Sequence, residues 1–414
     1  MSTRSRNSVI SRRGTLAVTI STVIAAASGY LILFIAARAL GPAGYARFSV
    51  FWSLYFSVLG VLLGLQQEST RSASSAMLDE PADPTSRVRL VRATVKIGAV
   101  FGLLIAVSAV AWSRAVFVDQ PLLLTAVVAV ACPLYAAQTG LVGGLSGTRR
   151  WVSVSAIVTA EAVVRLVAVA AAAWIGWGVG GMAVGTALAA VAWIVVSVVS
   201  PSARAGLRLV GDSTLREFRA RSTHAMVAAT ANAALVVGFP VLLELTTPSS
   251  LGEAGGRLVL AITLTRAPLL VPLNAFQGVA ISYFVARRAT MLRALALPSL
   301  LVCAVGSAGA LAAWLVGEPL LSMLFGPDFV VAPVVLAFLT IGATLIGALT
   351  MTGTAVIAGG HHRAFVAGWV TASVVTIAVL LVPEALTARA IAGLLIGPAC
   401  GIVVHLVALA RSTA

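Results

Sequence analysis

Lysine is almost missing from this 414-residue chain: Lys96 is the one lysine among 28 basic residues, and it follows Thr94-Val95. A phosphate-binding loop needs a Gly-Lys-Ser/Thr ending, so no ATP site is encoded. Acids are few as well, 13 in all, and no Asp-x-Asp pair suggests metal-dependent glycosyl transfer; Asp119, Glu253, Glu318, Asp328 and Glu384 are scattered singly over the outer segments. Cys132, Cys303 and Cys400 each fall inside an apolar run, where a lone thiol behaves as a small buried hydrophobe. Neither a disulfide framework nor a metal site is indicated. His361-His362 adjoin Arg363, and adjacent histidines point different ways on a helix, so a loop is favoured over a metal site. With 10% charged residues the chain has too little polar surface to cover a water-soluble globule. These absences describe a chain that is not an enzyme and uses no cofactor.

What is present is apolar: 60% of residues, with a mean hydropathy of +1.04. The apolar residues fall in runs of about 20, the length that crosses a hydrocarbon core of ~30 Å as helix. The runs lie near 15–37, 48–65, 95–113, 121–146, 152–175, 181–200, 223–245, 256–285, 295–316, 330–358, 364–383 and 390–410. The expected fold class is therefore an all-α polytopic membrane protein of about 12 transmembrane helices in two six-helix bundles. Ser11-Arg12-Arg13-Gly14 ahead of the first run is loosely similar to a twin-arginine export signal. The run from 15 to 37 exceeds a signal-peptide core, which predicts an uncleaved first helix.

The charge of +15 reports topology and not nucleic-acid binding, because the basic residues sit in the breaks between spans. Of the 28, five (Arg38, Arg47, Arg114, Arg257, Arg389) fall on one side, Arg165 and Arg266 lie inside spans, and the other 21 fall on the opposite side. Taking the 21 as cytoplasmic predicts a multi-pass protein of the inner membrane with both termini in the cytoplasm.

The polar segments 66–94 and 201–222 are the longest inner breaks, and the second falls near the chain midpoint. Three parts are expected: 1–200 as an N-terminal six-helix bundle, 201–222 as a cytoplasmic linker and 223–414 as a C-terminal six-helix bundle. Leu40-Gly41-Pro42-Ala43-Gly44 matches Leu251-Gly252-Glu253-Ala254-Gly255 at an offset of 211 residues. Pro121, Gly147 and Val158-Thr159-Ala160 match Pro333, Gly359 and Val370-Thr371-Ala372 at 212, which suggests an ancient repeat.

An ionisable group at the bilayer centre costs at least ~2.5–3.5 kcal/mol and must face protein or water. Glu161 and Arg165 sit four apart near the middle of span five, on one helix face, and can pair with each other. Arg266 lies about ten residues into span eight, which holds no acid. Just beyond it, Pro268, Pro272, Asn274, Gln277 and Gly278 predict a broken backbone ladder beside a cavity or well-packed neighbours. Asn232 in span seven and Gln138 in span four are further polar candidates, as ligand contacts or interhelical hydrogen bonds. Gln66-Gln67-Glu68 and Arg71 at the inner end of span two form a gate or an interfacial anchor.

Ala37-Arg38-Ala39-Leu40-Gly41-Pro42-Ala43-Gly44-Tyr45 resembles the A-R-x-L-G-P-x-x-Y-G signature of the Wzx-like polysaccharide flippases, in the multidrug/oligosaccharidyl-lipid/polysaccharide exporter superfamily. Leu324-Phe325-Gly326-Pro327-Asp328-Phe329 is similar to that family's L-F-G-x-x-Y/F element, and Gly143-Gly144-Leu145-Ser146-Gly147 with Arg149-Arg150 to its G-x-x-x-G-x-x-R/K ending. Ala46 stands where the family usually has Gly. The resemblance covers nearly the whole chain and implies two bundles forming a V around a central cavity. It implies alternating-access translocation of a polyprenyl-pyrophosphate-linked oligosaccharide from inner to outer leaflet, for cell-surface polysaccharide biosynthesis. Partners would be membrane lipids, the lipid-linked glycan, and glycan polymerases or glycosyltransferases. By analogy with arginines thought to hold the carrier pyrophosphate, Arg266 is the first substrate-binding candidate and Arg165 the second, followed by Asn274, Gln277, Asn232 and Gln138. Glu161 is the one midplane acid that can couple an ion. Two alternatives stand beside this reading: an ion-coupled drug or metabolite antiporter of the same superfamily, and an envelope-assembly membrane partner that does not transport.

Overall fold

The computed structural model describes residues 12–77, 87–248, 250–287 and 290–413; the side chains of 12, 228, 231–236, 271, 274–279, 281–282, 412 and 413 lie outside that description. The architecture is all-α. Arg12–Ala76 is helical except at Gly41, whose φ of 66° and ψ of 178° break it into α1 (12–40) and α2 (42–76). Gly41 supplies a left-handed φ without steric cost, and Pro42 then opens α2 at the position where a missing N–H costs nothing. There follow α3 (Leu90–Val116), α4 (Pro121–Gly147), α5 (Trp151–Ile175), α6 (Gly178–Val199) and the short α7 (Pro201–Gly206). The second half holds α8 (Leu215–Val236), α9 (Phe239–Leu245), α10 (Gly252–Val285), α11 (Met291–Phe325), α12 (Pro333–Ala358), α13 (His362–Leu380) and α14 (Leu386–Thr413). Counting α8 with α9 as one crossing, the described residues supply the twelve membrane helices expected.

Two compact units are present. The first contains residues up to Ala39 and Tyr55–Thr230; the second contains Leu40–Leu54 and Ala231–Ala414. The opening of α2 thus belongs to the second unit and its remainder to the first.

Inside the first unit, α3 and α4 approach closely because Gly98 and Gly102 of α3 face Ala129, Cys132 and Ala136 of α4. In the second, Gly397 and Gly401 of α14 meet the backbone of α13, a Cβ at either lying 2.7 Å from the carbonyl oxygens of Ala372 and Gly368 respectively. Small residues let membrane helices gain dispersion contact where hydrophobic burial offers little. The helices expose many large apolar side chains, Val110 and Trp174 over 90%, as faces turned to hydrocarbon require. Cys132 is buried as expected, but Cys303 is exposed, because an apolar run in a bilayer does not imply burial in protein.

The repeat is visible in the backbone. α4 and α12 both begin at proline, and both end in the same cap: Arg150 N–H donates to the Leu145 carbonyl at 2.8 Å, and His361 N–H to that of Val356 at 3.1 Å. Arg149 and Gly360 take the left-handed φ that each cap requires, 61° and 87°.

The polar segments 66–94 and 201–222 are shorter as loops than their composition suggests. α2 continues to Ala76, and α7 and the start of α8 occupy much of 201–222. Polarity marks where the chain leaves lipid, and a helix has no need to end there. Among the described residues, 87–89 and 207–214 are the connectors, joined by an antiparallel bridge between Arg89 and Val210.

Candidate functional site

In the first unit, α4 and α5 bring three of the expected residues together. Glu161 and Arg165, one turn apart on α5, form an ion pair through Oε1 and Nη2. Gln138 on α4 donates from Nε2 to the other Glu161 oxygen at 2.5 Å, so Gln138 makes the interhelical bond that was one of its two readings. Both members of the pair are nearly buried, with 13% and 12% of their side chains exposed. The Arg165 guanidinium also lies 5.1 Å from the centroid of Phe56 on α2, a cation–π contact in a desolvated setting. Among the described residues, Arg165 Nε and Gln138 Oε1 are buried without hydrogen-bond partners, leaving the cluster one spare donor and one spare acceptor. Such groups are costly unless something polar reaches them.

In the second unit, Arg266 is buried on α10 with its guanidinium 5.1 Å from the ring centroid of Phe239 on α9. The ladder break expected beyond it is absent: Gly252–Val285 is one helix that contains both Pro268 and Pro272. Each proline withholds one N–H, so the carbonyls of Leu264 and Pro268 lose their intrahelical donors while the helix continues. A cavity of about 340 Å³ among α10, α11 and α12 is lined there by Leu264, Thr265 and Pro268. The expected side chains of Asn232, Asn274 and Gln277 lie outside the described residues.

Three buried polar positions escape a reading based on hydropathy. His405 of α14 is fully buried; its Nε2 lies 3.2 Å from the Phe365 carbonyl and its Nδ1 3.0 Å from Thr352 Oγ1. A carbonyl only accepts, so Nε2 carries the proton in that contact. Glu244, at the end of α9, is buried and accepts from the Leu251 N–H at 3.3 Å. Arg389 donates to the carbonyls of Thr246 and Leu380 at 2.6 and 2.8 Å and to Thr247 Oγ1 at 2.8 Å. Arg389 and Glu244 sit at span ends, where a charge is unremarkable in sequence, and nothing in the sequence announces His405 beyond its place in an apolar run.

Several solved structures that share this architecture are described as transporters. An inward-facing multidrug resistance MATE family transporter of the MOP superfamily superimposes with a TM-score of 0.71 at 13% identity, covering 97% of this chain and all of that one. An outward-facing form of such a transporter gives 0.65 at 15% identity, covering 97% and 95%. A MOP superfamily transporter from Pyrococcus furiosus, described as having a binding pocket of reverse polarity, gives 0.64 at 14% identity, covering 97% and 96%. The fold is thus that of the MATE transporters: an all-α, multi-pass membrane protein whose described residues supply twelve membrane helices.

No family model matches the chain. "Uncharacterized protein Rv1510" of Mycobacterium tuberculosis is 41% identical over 400 residues, 96% of this chain and 92% of its own length. "Uncharacterized protein Rv3630" of the same organism is 41% identical over 404 residues, covering 97% and 92%. The chain belongs to the family of these mycobacterial proteins.

Proposed function

We propose that this chain is a flippase that carries a polyprenyl-pyrophosphate-linked oligosaccharide from the inner to the outer leaflet by alternating access, for cell-surface polysaccharide assembly. The observation that carries the reading is Arg266, a guanidinium buried partway along a membrane helix and stacked on Phe239. An always-charged planar fork binds phosphate oxygens in pairs, and burial strengthens that attraction. Arg165 is the second cation, Gln138, Asn232, Asn274 and Gln277 supply hydrogen bonds to the cargo, and Glu161 carries the coupling proton. With no nucleotide motif, an ion gradient, the membrane potential or downstream consumption of the glycan drives transport. The uneven placement of arginine supports cytoplasmic termini, and the chain works in the inner membrane in this reading. Glycosyltransferases or a glycan polymerase are the partners that would load and consume the cargo.

A second reading, ion-coupled export of a drug or metabolite, is favoured by the Glu161 carboxylate and by the multidrug transporters that share the fold. Reconstitution separates the two. Vesicles containing the protein and a fluorescent polyprenyl-pyrophosphate oligosaccharide should show transfer between leaflets, and Arg266→Ala should slow it at least about tenfold, the worth of one charge-assisted hydrogen bond. Export of an organic cation, unaffected by Arg266→Ala, would replace the first reading with the second. Movement of neither cargo would point to the non-transporting assembly partner.

A further inference from the structure

The first unit holds a groove of about 800 Å³ between α3 and α8 that takes no part in the sites above. Its walls are two helical stripes. On α3, Lys96, Val100 and Leu104 recur every four residues, with Ile97 and Phe101 beside them; on α8, Leu215, Arg219, Thr223 and Val227 do the same. Each stripe carries its cation near the helix start; beyond it the α3 stripe is apolar, and the α8 stripe runs through Thr223 to Met226 and Val227. The groove continues into a smaller pocket of about 240 Å³ lined by Arg87, Arg89, Arg92 and Lys96. Ala93, Lys96 and Leu215 line both, so the basic pocket adjoins the mouth of the groove. No acid is among the residues lining either part, and Arg87 Nε is buried with no hydrogen-bond partner among the described residues.

The dimensions identify the occupant. Leu104 lies eight positions beyond Lys96 and Val227 eight beyond Arg219, so each stripe descends ~12 Å from its cation at 1.5 Å per residue. That is close to half of a ~30 Å hydrocarbon core, one leaflet. Val100, Leu104 and Val227 are 59%, 60% and 67% exposed, as a wall open to lipid requires. A free anion would use the mouth and leave the apolar stripe empty, and a neutral lipid would leave the cations unanswered. Basic pockets between membrane helices recognise anionic headgroups.

We propose that this groove binds one anionic phospholipid of the leaflet facing the basic segments. Its phosphate sits among Arg89, Arg92, Lys96 and Arg219, and an acyl chain lies along Val100, Phe101 and Val227. The site is separate from the mid-helix residues assigned to cargo, and its test does not depend on transport.

Native mass spectrometry of the purified full chain, mixed with equimolar phosphatidylglycerol and phosphatidylcholine, should show phosphatidylglycerol retained about tenfold or more in excess, the scale expected for two surface cations. The combined Arg89→Gln, Arg92→Gln, Lys96→Gln and Arg219→Gln variant should bring the two lipids to parity. Val100→Trp, at an exposed position with all cations intact, should also lower retention by filling the apolar stripe. Equal retention of both lipids by the parent chain would overturn the proposal, as would unchanged preference in both variants with unchanged melting curves. Polyprenyl phosphate displacing phosphatidylglycerol at equal concentration would overturn the phospholipid assignment in favour of a carrier lipid. Displacement by inorganic phosphate alone would reduce the site to an anion pocket.

Discussion

Arg71 and Asp212, 141 residues apart, are joined by two hydrogen bonds, Nη1 to Oδ2 at 2.9 Å and Nη2 to Oδ1 at 3.1 Å. Arg71 also holds Glu68 on its own helix, Nε to Oε2 at 2.8 Å, and Ser72 Oγ donates to Asp212 Oδ1 at 2.7 Å. One guanidinium fork thus ties the inner end of α2 to the connector before α8. Of the two readings of Gln66 to Arg71, this contact supports the anchor.

The anchor carries a pH signature. Burial alone would raise the Asp212 carboxyl, but hydrogen bonds from Arg71 and Ser72 outweigh it and hold the group at about 2, against an ordinary 3.8. A carboxyl depressed on folding adds stability that is complete above the unfolded value and lost as pH falls through the folded one. Between roughly pH 4 and pH 2 the parent should therefore lose melting temperature more steeply than Asp212→Asn, which lacks the titration. At neutral pH, Asp212→Asn should melt roughly 2–4 °C lower, the effect of about 1 kcal/mol for a partly exposed pair. Parallel acid limbs for the two proteins would exclude the anchor from acid stability.

Glu161 and Arg165 predict a non-additive pair. Removing either partner leaves the other charge buried, at a cost of about 3–5 kcal/mol, whereas apolar replacement of both can be nearly neutral. Glu161→Gln and Arg165→Met should each lower yield and thermal stability, and the double variant should recover most of the loss. A double-mutant cycle on melting temperature measures this, and additive losses would mean that the two charges do not depend on each other. If Glu161 carries the coupling proton, the stable double variant should still lose pH-dependent transport.

How far the sequence is legible follows from which physics each feature uses. Spans depend on hydropathy summed over about 20 residues, so all twelve crossings can be read, as can the i, i+4 pairing of Glu161 with Arg165. The Gly41-Pro42 break is legible because left-handed φ and missing N–H groups are properties of single residue types. Helix ends are not, because α2 and α8 extend past the bilayer, where no hydropathy signal remains. The unbroken α10 shows a second limit: proline removes one hydrogen bond locally, and whether the helix stops depends on neighbours distant in sequence. His405 was hidden for the same reason, since its partners Thr352 and Phe365 come from other helices.

Close helix approach gives a third prediction. A Cβ at Gly98 would meet Ala136 and lie 2.8 Å from the Cys132 carbonyl oxygen, which belongs to the α4 backbone and cannot yield. Gly98→Ala should therefore destabilise by about 1–3 kcal/mol through overpacking, and Gly98→Leu should abolish folded yield. Gly309 is the control: its nearest neighbour to an added Cβ is a Thr340 methyl at 3.5 Å, ordinary contact, so Gly309→Ala should be neutral or slightly stabilising. Fluorescence-detected size exclusion on heated samples reads both.

The fourth prediction concerns Gly368 and His405. An added Cβ at Gly368 would fall on the imidazole, so the missing side chain is what admits the ring between α13 and α14. The imidazole is stacked on Phe365 at an interplanar angle of 4° and bonded to the Phe365 carbonyl and to Thr352, which fixes it on three sides. Gly368→Ala must displace the ring and strand a buried donor, costing about 1–3 kcal/mol. His405→Ala leaves a cavity but no donor, and should cost about 2–4 kcal/mol by analogy with other large-to-small changes. In the double variant the new methyl enters the space the ring vacated. The combination should therefore be more stable than the sum of the two losses, by at least about 1 kcal/mol. A strictly additive double variant would show that the glycine and the histidine do not share one site.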